Sequence, residues 1–159
     1  MAALEGVAGD ARWKQLREDG VQFLRRARFG KWGLPPDWVA ITRDGRGLSP
    51  AEGWPPRFSF DAVRVPLLMA WGGLGAEPAV AAAVRFWTDP AHRAPPAWTD
   101  LTTNALSDYP ASGGVLAIAS YAGAAAGIQT TAVAPVIEAA DDYYSAALKM
   151  LVTVALTSQ

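Results

Sequence analysis

This 159-residue chain predicts an all-α fold of about five to six helices joined by long loops, on three observations. Apolar residues recur at three- and four-residue spacings in several stretches, no convincing alternating run appears, and glycine or proline punctuates the ends. Apolar residues make up 51% of the chain and charged residues 18%, so it is globular and long enough for one ordinary core. A single domain over residues 1–159 is expected.

The first helix is expected over about residues 10–28, where Trp13, Leu16, Gly20, Phe23, Leu24 and Ala27 share a face. Gly30 and Gly33 end it, and Pro35 and Pro36 prevent its continuation. Residues 32–54 read as an irregular passage with a turn at Asp44-Gly45, and residues 38–41 are able to pair briefly as a strand. A second helix should follow a cap at Ser59 and run to Trp71, with Pro66 producing a kink or a delayed start. A third opens near Pro78 and stops at Asp89-Pro90. Ser112 is placed to cap a fourth over residues 113–126. Pro135 opens a short fifth, and Asp141-Asp142 precede a sixth over residues 143–156, where acids suit the helix dipole.

Several function classes lack support. Net charge is −1 with both signs scattered, which removes the electrostatic case for nucleic acid or an acidic membrane surface. The chain has no cysteine, and its one histidine, His92, reads as a surface residue of the loop DPAHRAPPAW. There is no metal-ligand cluster and no phosphate loop, so no cofactor is expected. Residues 110–137 carry no charge, but glycines and Pro135 break them, and their longest strongly apolar stretch falls short of the ~20 residues a spanning helix needs. The opening residues, MAALEGVAGDARWKQL, do not read as a secretory leader.

Chemistry concentrates in GWPPRFSFDAVRVPLLMAW, residues 53–71. Asp61 lies at the mouth of an apolar helix, and Arg64, three residues on, is placed to pair with it. The dipole and the guanidinium both favour an ionised carboxylate, which suits a base that polarises water. The same spacing also fits an ordinary helix-start acid with a surface partner. Seven tryptophans are many for this length. Trp13, Trp71 and Trp87 sit on apolar helical faces, whereas loop residues Trp32, Trp38, Trp54 and Trp98 suit either packing or stacking on a pyranose ring.

Trp54, Pro55, Arg57, Phe58, Asp61, Ala62, Arg64, Val65 and Pro66 closely resemble a segment of glycoside hydrolase family 8, the bacterial cellulases, of the form W-P-x-R-F-G-Y-D-A-x-R-V-P. RARFGKWGLPPDW before it and DDYYSAALKML after it resemble the family in the same order. The likeness implies that Asp61 is the general base and Arg64 its active-site neighbour. Phe60, Trp54, Tyr143 and Tyr144 would face the sugar. Two positions depart from the family: Ser59 replaces a usual glycine, and Phe60 a usual tyrosine, with loss of a hydroxyl near the sugar.

The resemblance is to the C-terminal half only, so it implies half of an (α/α)6 barrel. The family's acid glutamate and its A-[ST]-D-[AG]-D signature belong to the preceding half. Glu5, Glu18, Glu52, Glu77 and Glu138 do not lie in that acid context. The expected activity is hydrolysis of β-1,4-glucan by inversion, by a truncated or split enzyme, with xylan and chitosan as other substrates and a role in trimming nascent cellulose. A half barrel leaves apolar faces open and favours a separate N-terminal half or a second copy as partner. The family is secreted or periplasmic. A non-catalytic glucan-binding remnant and an unrelated helical interaction domain are the competing readings.

Overall fold

The computed structural model describes residues 11–158. The expected helix start at residue 10, the reading of the opening residues and Glu5 lie wholly or partly outside that range. Within it the order is α1 (Ala11–Arg26), β1 (Val39–Ile41), β2 (Leu48–Pro50), β3 (Arg57–Phe58), α2 (Arg64–Trp71), α3 (Pro78–Trp87), β4 (Thr99–Asp100), α4 (Gly113–Ala126) and α5 (Tyr143–Thr157). β1 and β2 form an antiparallel hairpin, with Val39 opposite Pro50 and Ile41 opposite Leu48. β3 and β4 pair antiparallel, Arg57 opposite Asp100. No described helix is long and apolar enough to cross a membrane.

Helix α4 is the centre of the packing, in contact with α2, α3 and α5. Its sequence, GGVLAIASYAGAAA, is apolar or small on nearly every side, as a helix surrounded by others must be. Ser112 caps it by accepting from Val115 N at 3.4 Å, and Gly127 closes it in the left-handed region at φ 66°. Gly114 lets α5 approach closely: a Cβ there would lie 2.5 Å from Ser145 O. The main core gathers Leu34, Phe58, Leu67, Phe86, Ile118 and Leu148, all essentially inaccessible. A second cluster joins Met69, Val80, Val84 and Ala122, with Leu24 of α1 against its edge.

Two expected elements differ. The second helix does not follow Ser59 directly. Residues 60–63 form successive turns and α2 starts at Arg64, which places Pro66 in the first helical turn, where its missing N–H costs nothing. The short helix expected at Pro135 is absent: residues 128–138 run without regular structure across α4 and α5. Val133 N donates to Ser120 Oγ at 3.2 Å and Thr153 Oγ1 to Pro135 O at 3.5 Å, so side chains of both helices take up backbone groups that a helix would have paired internally. His92 is also not the surface residue expected. Its ring packs 5.4 Å from both Trp32 and Phe86, with neither nitrogen accessible.

At the base of α5, Asp141 is enclosed by donors. Lys149 Nζ lies 2.7 Å from Oδ2, Ser145 Oγ donates to Oδ1 at 2.9 Å, and Glu138 N donates at 2.8 Å. The Glu138 N–H and then the Lys149 ammonium hold this carboxyl at about 2. Ser145 Oγ in turn accepts from Gly114 N at 3.0 Å, tying α5 to the start of α4. Asp142 caps α5 through Ser145 N at 2.7 Å, and the two tyrosines follow at once.

Candidate active site

The carboxylate at the centre of the site is presented by a turn rather than a helix. Asp37, just after the two prolines of GLPPDW, reaches across to residues 59–62. Its Oδ1 accepts from the backbone N–H groups of Ser59, Asp61 and Ala62, at 3.1, 3.1 and 2.7 Å. Its Oδ2 accepts from Ser59 Oγ. Ser59 is therefore not the cap of α2, as its position suggested; its hydroxyl is spent on Asp37. One buried-side acceptor satisfies three orphan donors and fixes the turn.

Asp61 then projects outward, with 52% of its side chain exposed, and Arg64 Nη2 donates to its Oδ1. The guanidinium also touches the Asp61 carbonyl through Nε at 3.4 Å. The expected Asp61–Arg64 pairing is present, one turn apart at the N-terminus of α2.

Beside this pair lies a hollow of about 240 Å³, lined by residues that include Phe60, Val63, Tyr109, Ser112, Asp142 and Tyr144. Tyr144 Oη donates to the Phe60 carbonyl at 2.7 Å, and the two rings meet edge to face at 5.4 Å. Burial, opposed by Arg64 and assisted by the carboxylates of Asp37, Asp61 and Asp142, pushes the Tyr144 phenol up to about 12. It stays neutral, and the same charges place it within electrostatic reach of Asp61.

The other expected sugar-facing residues fall elsewhere. Tyr143 is 91% exposed and does not line the hollow. Trp54 stacks on Trp38, centroids 4.6 Å apart and planes 21° from parallel, both about half exposed, and away from the hollow's lining. Trp32 packs on Phe86 and donates to Asp89 Oδ2 at 2.9 Å, which makes it a structural residue. Trp98 lies under the Arg57 guanidinium, 3.7 Å from ring centroid to Cζ, and donates to Tyr109 Oη at 3.1 Å.

Asp37, Tyr109, Ser112 and Asp142 are the site residues that sequence reasoning missed. Ser112 did carry a cap signal and Asp142 a helix-start signal, and both place a side chain at a helix mouth. Nothing local in the sequence marks Asp37 or Tyr109.

A carboxylate on a pinned turn and an arginine one turn on thus stand beside a hollow lined in part by aromatic rings. The family model for glycosyl hydrolases family 8 matches residues 4–158. The chain belongs to glycoside hydrolase family 8. It is 46% identical over 149 residues to a probable endoglucanase of Novacetimonas hansenii, covering 94% of this chain and 42% of that one. An endo-β-1,4-glucanase of Acetobacter xylinum superposes with a TM-score of 0.87 at 44% identity, over 98% of this chain and 48% of the other. A family 8 endo-β-1,4-glucanase from an Achatina fulica gut metagenomic library gives 0.86 at 34% identity, again over 48% of its length. The chain thus spans less than half the length of these relatives. Its five described helices are half of an (α/α)6 barrel.

Proposed function

We propose that this family 8 chain is the base-bearing half of an inverting endo-β-1,4-glucanase, with Asp61 as general base. The observation that carries this is the Asp61 turn: four hydrogen bonds to Asp37 hold it, and Arg64 takes Oδ1 and leaves Oδ2 for a water. In the step it would serve, that water's oxygen bonds to the anomeric carbon as the glycosidic C–O bond breaks. Asp61 accepts the water's proton, and an acid on the opposite side gives one to the departing oxygen. Inverting pairs stand roughly 6.5–9.5 Å apart, and among the described residues no glutamate is a hydrogen-bond or ion-pair partner of Asp61.

The acid is assigned to the N-terminal half of the family's barrel, whose seat is the open side of this half barrel. Helix α1 buries none of its residues, and α5 leaves Met150, Val154 and Leu156 exposed. Together residues 1–159 act as one domain that closes against the other half. The substrate is a β-1,4-glucan.

The test is co-expression with the N-terminal half of a family 8 endoglucanase, followed by release of reducing ends from carboxymethylcellulose. The chain alone should be nearly inactive, the complemented protein active, and Asp61→Asn should lower turnover by ~100-fold or more. Robust turnover by the complemented Asp61→Asn protein would overturn the assignment of the base.

A further inference from the structure

The hollow beside Phe60 carries a negative charge balance that proton transfer at Asp61 leaves unused. One guanidinium, Arg64, and three carboxylates, Asp37, Asp61 and Asp142, act on the phenol of Tyr144 in its wall, which leaves two negative charges over. Arg64 is matched by Asp61 Oδ1. Asp37 is held by backbone N–H groups and the Ser59 hydroxyl, all of them neutral. Asp142 accepts from Ser145 N through Oδ1 at 2.7 Å, and its Oδ2 is left for another partner.

Neighbouring cations do not cancel this balance. Lys149 Nζ lies 2.7 Å from Asp141 Oδ2, and Arg57 covers the Trp98 ring and stands opposite Asp100 in the β3–β4 pair. Among the described residues that line the hollow there is no lysine, arginine or histidine. Its walls include three aromatic rings, Phe60, Tyr109 and Tyr144, of which the first two are about half exposed. The face of such a ring is negative and draws cations. Tyr144 Oη has given its proton to the Phe60 carbonyl at 2.7 Å, so it offers lone pairs only. The volume of about 240 Å³ is below the ~300–1,000 Å³ of sites for drug-sized ligands, which suits a single head group.

From this we propose that the hollow binds one compact organic ammonium, a trimethylammonium or primary alkylammonium group. The cation lies against the Phe60 and Tyr109 rings and faces Asp142 Oδ2. A neutral carbon group of the same shape makes the contact without the attraction. A phosphate carried beside the ammonium meets the negative balance and is disfavoured. The hollow thus selects for charge more than for shape. The inference stands apart from the glucan reading, since it needs neither a sugar nor the other half of the barrel.

The full chain should be titrated with choline at low salt, following aromatic chemical shifts. Two control ligands run in parallel: 3,3-dimethylbutan-1-ol, the neutral carbon isostere, and phosphocholine, which stands for a phospholipid head group. Choline is expected to bind, and both controls at least ~tenfold more weakly. Asp142→Asn keeps a side chain able to cap α5 and should weaken choline ~fivefold. Phe60→Leu keeps apolar bulk at a half-exposed position, removes the ring and should weaken choline by a similar ~fivefold. Arg64→Gln removes the one cation of the balance and should tighten choline ~threefold, the opposite sign from a damaged site. Thermal midpoints are compared first; if Asp142→Asn or Arg64→Gln fails to fold, Phe60→Leu and the control ligands decide. No choline response, equal affinity for either control, unchanged affinity in Asp142→Asn or Phe60→Leu, or weaker binding by a folded Arg64→Gln overturns the proposal. Hydrolysis by the complemented protein that survives a failed choline titration sinks the ammonium site and leaves the catalytic reading standing. Choline binding that survives a failed hydrolysis assay does the opposite.

Discussion

Helices α1 and α4 are nearly equal in length and opposite in circumstance. Eight of the fourteen residues of α4 are buried, among them Val115, Ile118 and Tyr121, whereas none of the sixteen in α1 is. Yet α1 has a clear apolar face, and Leu16 on it is 47% exposed. Its C-terminal end is tied down where Arg25 forks onto Glu77 with contacts of 2.8 and 2.7 Å and Arg26 Nη2 reaches the hairpin carbonyl of Gly45 at 3.2 Å. The contrast teaches where the molecule is finished. The side built on α4 is a complete core, whereas none of the residues of α1 reaches full burial.

The comparison breaks most visibly at α4. Ile118→Ala should cost about 2–5 kcal/mol, since the site is fully enclosed, read as a lowered urea midpoint. Gly114→Ala should cost about 1–3 kcal/mol because the added methyl meets the Ser145 carbonyl and forces α5 away. Asp37→Ala should cost about 1–2 kcal/mol of stability by freeing the turn's donors. In the complemented enzyme it should lower turnover more than it lowers stability, because Asp61 loses its seat.

Acid titration sharpens the α5 side. Asp141 and Asp89 both sit at about 2, the first through Glu138 N and Lys149, the second through Ala91 N and Trp32. A carboxyl depressed in the folded chain contributes stability above its unfolded value of 3.8, and that contribution is lost as pH falls through about 2. Thermal midpoints should therefore fall across that window, with a shallower slope in Asp141→Asn. Smallest of all, Leu16→Ala should change the isolated chain by less than about 0.5 kcal/mol. It should weaken capture of the N-terminal half measurably, which is the outcome that ties α1 to a partner.

Helices α3, α4 and α5 were legible because each begins on a local signal: Pro78, Ser112 as a cap, which the structure bears out, and the Asp141-Asp142 pair, of which Asp142 proves to be a cap as well. The 39–41 strand and the Asp61–Arg64 pair were equally local. What the sequence hid was long-range. The acceptor that shapes the Asp61 turn is Asp37, 22 residues before Ser59, and no periodicity links them. Ser59 looked like a cap because serine before an apolar helix usually is one; tertiary contact with Asp37 took its hydroxyl instead. Tyr143 and Tyr144 are adjacent and chemically alike, so only the direction of α5 decides that one lines the hollow and the other meets solvent.

The grip of Asp37 on residues 59–62 also cinches the neck of everything between them, the β1–β2 hairpin and the stacked indoles included. A segment fastened at its throat can be lengthened, shortened or swapped at its tip, near Asp44 and Gly45, with little disturbance to the turn that carries Asp61. The hairpin is thus the natural place for this scaffold to change its outline while the Asp61–Arg64 pair is left alone.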